Sequence, residues 1–406
     1  MLEFHEALEK ILKHARRSLP IKLPLEETLG YVLAEEIKAK EPIPLFDSSS
    51  VDGYAVQVRD LRDASERHPV SLKLQSVVSA GFTPPQSLKP LHTIKIMTGA
   101  VLPQKADAVV MKEFVRTRGD EIIFSSAPKE GASLRRRGEE FKKGETVFQK
   151  GASITPPVIG MCATLGLMSV KVYRKPVVAL VINGNELRSP SSSLRRGQVR
   201  DSNSYALSAV LRSAGISPVL VLHAGDNKKN LMKAFARGLK RGDVVVSAGG
   251  VSVGDFDYVK EVLSDLRVRT IFWRVAMKPG KPNYFGMRGK KLIFGLPGNP
   301  VSAAVSLETL VMPALRKMMG SYSPVALHDA VIDFDLRRGS GRTEFVRGAA
   351  ASTEEGKLMV KPASRQGSHM IGGLADANCL IVLPKESEFV AKGETVSIRY
   401  LSWMKT

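Results

Sequence analysis

From Gly242 to Ser302 the chain repeats one local form three times. It reads GDVVVSAGGVSVGDFDY, then MKPGKPNYFG, then FGLPGNPVS. Each piece joins a β-rich apolar run to a glycine- or proline-rich turn carrying polar groups. In an open parallel sheet such turns lie at the C-terminal strand ends, where ligands bind. Three of them in one stretch predict a shared pocket. The flanking sequence fits that frame. PVVALVI is followed by the loop NGNEL; Asp201 then caps the helix DSNSYALSAVLRSAG, which stops at Gly215. SPVLVLH precedes AGDN and a helix through LMKAFARGLKR, and a last helix runs from Pro300 to about Met319. Strands alternating with helices predict a mostly parallel sheet covered on both faces.

Other textures flank this α/β region. Residues 2–18 have apolar residues at helical spacing (Leu2, Leu8, Ile11, Leu12, Ala15). LEETLGYVLAEEIKAK reads as a second helix-like stretch, interrupted at Gly30. From Leu45 to Glu145, short alternating runs such as YAVQV, SLKLQSVV and TIKIMTGA predict a β-rich domain. After Ser323-Pro324, five short runs from ALHDAVIDFDL to ETVSIRY predict a small closed β-barrel or sandwich.

Composition narrows the function classes. Of 406 residues, 43% are hydrophobic and 25% charged, the balance of a globular protein with real cores. No apolar run approaches the ~20 residues that cross a bilayer, and the N-terminus lacks a signal-peptide core; a cytoplasmic location is the default expectation. Cys162 and Cys379 belong to no CxxC pair, which argues against a zinc site or disulfide framework. The net charge is +20. Its basic residues form short clusters without interleaved aromatics, which argues against nucleic acid and leaves room for a small polyanion.

Several residues could carry chemistry, each with a plainer alternative. Glu186, Asp226 and Asp257 follow three strands, and clustered carboxylates suit Mg²⁺; singly, each could be a helix-start acid. Gly249, Gly250 and Ser252 form a glycine turn whose N–H groups could meet a phosphate, or simply a tight turn. Lys278 and Lys281 flank Pro279-Gly280 and suit an oxyanion, or an exposed basic turn. Pro297 and Pro300 stiffen a turn that leads to Ser302 in the first turn of a helix. Asp52 in VDGYAV and Thr98 in MTGA sit against glycines, and spacing alone does not place them.

Taken in order, VDGYAV, IMTGA, RRRGEE, SAGGVSVGDFDY, MKPGKP, GLPGNPVS and NCLIVLP resemble the molybdopterin molybdenumtransferase family, the MoeA proteins and the gephyrin E domain. The resemblance covers nearly the whole chain. It implies a multidomain α/β plus β fold: residues 1–20 a helix packing with the α/β domain, 21–44 and 146–175 a small helical linker domain, 45–145 a β-rich domain, 176–322 an α/β domain of the molybdopterin-binding type, and 323–406 a C-terminal β-barrel. It implies a homodimer whose active site combines the α/β domain of one subunit with the β domain of the other. The implied reaction inserts molybdate into adenylylated molybdopterin with Mg²⁺-dependent release of AMP. Asp52, Thr98, Glu186, Asp226 and Asp257 then fall on catalytic positions, the last three as metal ligands. Gly249, Gly250, Ser252, Lys278, Lys281, Pro297, Pro300 and Ser302 fall on substrate-binding positions, joined by Arg347 and Ser368 from the barrel. Transient contacts with the molybdopterin adenylyltransferase and with acceptor molybdoenzymes would follow. Competing expectations are a tungstate-preferring or non-catalytic cofactor-binding paralogue, and the preceding adenylyltransferase, whose chain is far shorter. The sequence departs from the family pattern at Asn185, where an Asp is usual, at Glu140, also usually Asp, and at Ser49-Ser50-Val51.

Overall fold

A computed structural model describes residues 1–84, 86–217, 219–250, 258–339 and 341–404. They fall into two compact units: residues 1–34, 151–159 and 169–406 in the first, 35–150 and 160–168 in the second.

At the centre of the first unit is a six-stranded sheet in the order Val219–Ala224, Val178–Asn183, Val244–Ala248, Lys291–Leu296, Tyr284–Arg288, Arg269–Trp273. The first four run parallel, in register from Ile182 to Ala248 to Leu296. Tyr284–Arg288 runs antiparallel between its two neighbours. The sequence reading missed this strand, because NYFGMR follows a proline turn and carries an internal glycine. The strand centres are buried on both faces, and alternate residues go to opposite cores. Val178, Leu180 and Ile182 pack with the helices Asn203–Ser213 and Pro300–Ser306. Ala179 and Val181 pack with Lys228–Arg241 and Tyr258–Asp265. This period of two is what a doubly covered sheet demands of its strands.

The N-terminal helix is Phe4–His14, and its buried face is Phe4, Ala7, Ile11 and then Ala15, with Leu8 and Leu12 only half-buried. The apolar stripe is therefore rotated from the one expected. The cause is Phe4, whose ring meets Phe345 edge-on at 5.0 Å. The helix expected around residues 25–40 does not form. Leu25–Glu27 makes one 3-10 turn, Gly30 turns the chain at φ 73°, and Val32 and Leu33 bridge to Ser153 and Val172. Across 21–44 and 146–175 the described elements are mostly β-ribbon: Pro20–Pro24 pairs with Ser169–Tyr173, and Ile37–Lys38 with Thr146–Phe148, beside one α-helix, Pro156–Thr164.

The C-terminal strands close on themselves. His328–Ile332, Leu358–Pro362, Thr343–Ser352, Cys379–Leu383 and Thr395–Tyr400 pair around a complete ring. This five-stranded barrel is joined to the α/β region by a buried ion pair. Glu308, 1% exposed, accepts from Arg399 Nη2 at 2.9 Å and from Ser402 Oγ at 2.5 Å. Glu308 lies in a π-helical turn, Leu307–Val311, within the long helix that starts at Pro300. π-Turns of this kind commonly mark a functional or packing constraint. The second unit carries a six-stranded sheet built from Gly53–Val56, Val70–Val78, His92–Ile96, Ala108–Met111, Val115–Arg118 and Glu121–Phe124. Among the described residues no helix is long and apolar enough to cross a membrane.

Two predictions follow from the buried charges. Removing one partner of a buried pair strands the other, so Arg399→Ala should cost about 3–5 kcal/mol, read by denaturant unfolding. Asp243 accepts from both Arg174 terminal nitrogens, at 2.9 and 3.0 Å, and from the Val177 N–H at 2.8 Å. Burial alone would push this carboxyl up; the Arg174 and Val177 bonds outweigh it and hold it below the usual range. A depressed folded pKa gives stability above the unfolded value of about 3.9. That stability should drain away as pH falls from there through the folded pKa, and less steeply in Asp243→Asn, as acid-unfolding curves would record.

Candidate active site

The four parallel strands end together, and their turns enclose a cavity of about 570 Å³. Asn183 ends the strand Val178–Asn183, and Gly184 and Glu186 follow it; Asp226 follows Val219–Ala224, Gly249 and Gly250 follow Val244–Ala248, and Pro297, Gly298, Asn299 and Pro300 follow Lys291–Leu296. Arg200, Asp201 and Asn203 complete the wall from the start of the next helix. The strand order reverses between Val178–Asn183 and Val244–Ala248, and the crevice beyond such a reversal is where open α/β sheets bind ligands.

Glycine is required here by contact. A Cβ at Gly249 would stand 2.6 Å from the Asn183 carbonyl oxygen, and one at Gly250 would strike the Asn183 side chain. Both have positive φ, 98° and 66°. Gly298 approaches Gly249 Cα so closely that its own Cβ would lie 3.5 Å away. The two glycine turns therefore pack on each other and on Asn183. Asn183 is 5% exposed, and its Oδ1 has no hydrogen-bond partner among the described residues.

The carboxylates are held by short local bonds. Asp226 Oδ2 accepts from the Asn185 N–H at 3.0 Å, and Asn185 Oδ1 accepts from the Asp226 N–H at 3.0 Å. This reciprocal pair ties the first turn to the second. Asn183 Nδ2 donates to Asp226 Oδ1 at 3.3 Å. The Glu186 carboxylate folds over Gly184, within 2.9 Å of where a Cβ would be. Asp201, 5% exposed, accepts from the Ser204 N–H and faces His223 Nε2, each at 3.0 Å. Burial would raise its pKa, but Ser204 and His223 bring it below the usual carboxylate range. Sequence reading treated Asp201 only as a helix cap, gave Asn299 no role beyond its place in the proline turn, and missed Asn183, Arg200 and Asn203. A lone Asn or Arg beside a turn carries no pattern that would single it out.

Of the residues expected to act, Glu186, Asp226, Gly249, Gly250, Pro297 and Pro300 line this one cavity. Ser252 and Asp257 lie outside the described residues. Lys278 is paired with Glu344 at 2.9 Å, and Lys281 is exposed; neither lines the cavity, although their neighbour Pro282 does. The turn they flank is organised by Asn283, 2% exposed, whose amide donates to Gly280 O and Ser306 Oγ. Ser302 is buried in the helix and is not a lining residue. Ser368 acts from behind: its Oγ accepts from Asn299 Nδ2 at 2.9 Å and its carbonyl from the Val301 N–H at 3.1 Å. Arg347, 1% exposed, does not reach the cavity. Its Nη2 donates to the carbonyls of Arg365 and Gly367, which fixes the loop that presents Ser368.

In the second unit the structure brings Asp52 and Thr98 together. Asp52 Oδ1 accepts from both the N–H and the Oγ1 of Thr98 at 2.9 Å, and Lys112 Nζ lies 3.4 Å from Oδ2. The Thr98 bonds, then Lys112, hold this carboxyl below its usual range. Gly53 is needed because a Cβ would collide with the Val110 carbonyl at 2.1 Å. Glu140 is exposed, and Arg136 beside it pairs with Asp47 at 3.0 Å.

Family models match nearly the whole length: the MoeA N-terminal region (domain I and II) at residues 2–166, the probable molybdopterin binding domain at 179–317, and the MoeA C-terminal region (domain IV) at 329–401. A molybdopterin molybdenumtransferase of Haemophilus influenzae is 36% identical over 93% of this chain and 92% of its own. The chain belongs to the molybdopterin molybdenumtransferase family. A family member named likewise in Bacillus subtilis is 34% identical over 97% of this chain and 92% of its own. The solved structure of the molybdopterin biosynthesis moeA protein from Pyrococcus horikoshii OT3 superposes with a TM-score of 0.84 at 29% identity, covering 98% of this chain and 100% of that one.

The packing of Gly249 against Asn183 gives a direct test. Gly249→Ala should lower stability by more than about 1 kcal/mol and open the turn, whereas Gly289→Ala, with positive φ but open space around it, should cost only the backbone strain. Thermal unfolding of the two variants compares them.

Proposed function

We propose that the protein is a molybdenum cofactor biosynthesis transferase that inserts molybdate into adenylylated molybdopterin and releases AMP. One observation carries this reading: four strand ends gather two carboxylates, a double-glycine turn and a proline-stiffened helix start around one cavity, in a member of this family. The volume, about 570 Å³, suits part of a nucleotide-sized ligand.

The donor set fits magnesium. Glu186 and Asp226 offer carboxylate oxygens, and Asn183 Oδ1 is a buried acceptor with nothing bound to it among the described residues. All-oxygen ligation with several retained waters is what Mg²⁺ prefers. When bound, the ion would offset charge on the pyrophosphate link as AMP leaves. The rest of the work falls to the chain. Glu186 and Asp226 would hold the ion, and the Asn183 and Asn185 amides keep Asp226 in place. The Gly249-Gly250 backbone lets a phosphate come close. The prolines keep the Gly298-Asn299 wall from yielding. Molybdate is the second substrate. A homodimer, a catalytic role for the Asp52–Thr98 pair, and transient exchange with the adenylyltransferase and acceptor enzymes are parts of the same proposal.

The test is AMP release from adenylylated molybdopterin, with molybdate or tungstate, with and without Mg²⁺. Asp226→Asn and Glu186→Gln should each lower turnover by about 10²-fold or more while unfolding curves stay close to wild type. Unchanged turnover in both would overturn the assignment, and dependence on tungstate alone would transfer it to the other oxyanion.

A further inference from the structure

A second cavity, of about 290 Å³, lies elsewhere in the first unit, and nothing in the proposed reaction uses it. Its walls come from the Gly30–Val32 turn, the Ser153–Thr155 segment, the strand end at Tyr173 to Lys175, and the end of the long helix at Arg316 and Met319. Two cations line it, Lys175 and Arg316. Among the described residues neither has a carboxylate partner, and the nearby acids are already engaged. Asp243 is taken by Arg174, and Glu308 by Arg399 and Ser402.

The Lys175 ammonium sits 4.0 Å over the Tyr31 ring, and burial pushes its pKa down. Arg316 adds to the positive field on a second guanidinium. Burial first, and then the Arg316 charge, lower the Arg399 pKa against the opposing pull of Glu308. A fixed ammonium and a fixed guanidinium beside one concavity attract a compact anion and discriminate against cations. Ser153 and Thr155 bring hydroxyl-bearing side chains to the wall, while Tyr31, Ile154 and Met319 make an apolar side. The volume lies at the small end of ligand pockets and excludes a dinucleotide.

We propose that this cavity is a binding site for a small phosphate-bearing ligand, a phosphomonoester or inorganic phosphate, held by Lys175 and Arg316. The apolar side favours the ester, whose organic group can pack beside Tyr31, Ile154 and Met319, whereas inorganic phosphate has no apolar surface to bury there. The site belongs to residues distinct from those around Glu186 and Asp226, so it stands whether or not the transferase reading holds.

Titration calorimetry on the full-length protein decides the matter, with phenyl phosphate and inorganic phosphate as separate probes. Phenyl phosphate should bind more tightly than phosphate. Lys175→Gln and Arg316→Gln should each weaken binding about tenfold or more, as loss of one charge-assisted bond implies. Arg316→Lys should recover most of the loss, which a general unfolding of the site would not allow. Lys290→Gln, which removes an exposed cation that lines neither cavity, should leave the affinity unchanged. Three results would overturn the proposal: no binding of either probe at millimolar concentration, equal binding in the two Gln variants and wild type, or an equal loss in Lys290→Gln, which would make the binding a general response to net charge. Equal affinity for the two probes would identify inorganic phosphate as the ligand and remove the role of the apolar side.

Discussion

Everything the larger cavity offers depends on the register of four parallel strands. Ile182, Ala248 and Leu296 stand level across the sheet, and Asn183 stands level with Ala224. The turns that follow therefore start from one line. A slip of one residue in any strand would reverse which side chains face each core. It would also carry its turn a full residue out of the cavity. The alternation of Val178, Leu180 and Ile182 into one core with Ala179 and Val181 into the other is thus also what aligns Glu186, Asp226, Gly249 and Pro297.

The turns then lock one another. Asn183 is the shared contact: its carbonyl lies against Gly249, its amide against Gly250 and Asp226. The Asn185–Asp226 exchange fastens the first turn to the second. Substituting Asn for the usual Asp at 185 keeps this lock, because the bond from the Asp226 N–H needs only a side-chain oxygen. What the amide changes is charge, placing one carboxylate instead of two at this corner. Support also arrives from the barrel. Arg347 fixes a loop, the loop presents Ser368, and Ser368 holds Asn299 and Val301 at the helix start. A barrel residue can thus matter to the cavity without touching it.

Much of this was legible in the sequence, and the reason is local. The α/β strands are short β-branched runs, and their turns carry Gly, Pro and Asp in patterns that spacing alone exposes. The barrel strands are short apolar runs between turns. What was hidden depended on contacts distant in sequence. Asn299 lies inside the marked GLPGNP turn, but its role does not show there, and nothing near Asn183 or Asn203 marks them, because the partners lie far along the chain: Gly298 for Asn203, Ser368 for Asn299. The strand Tyr284–Arg288 was obscured by its glycine, and that glycine is set by packing. A Cβ at Gly286 would meet the Tyr284 hydroxyl at 2.3 Å. The helix read into residues 25–40 failed for the converse reason. Its apolar spacing was helical, but Val32 and Leu33 found strand partners at Ser153 and Val172, and tertiary pairing overrode propensity.

The lysine turn shows how motif and mechanism part company. Lys278 and Lys281 looked like convergent charges for an oxyanion. In the folded chain Lys278 is bound to Glu344, which also lies 3.0 Å from Arg338 Nε, and the short strand Met277–Lys278 pairs with Thr343–Ser352. The turn is therefore part of the joint between the α/β sheet and the barrel. Glu308 and Arg399 form the other part. Both joints use charge buried or half-buried in a chain of net charge +20. Each acid spent on a joint leaves nearby cations without a partner. Arg316 is such a case: its charge acts on Arg399, while Glu308 is committed to Arg399. A cationic cavity beside the Glu308 joint is then a consequence of how the joint is built, and an anion is the component that would balance it.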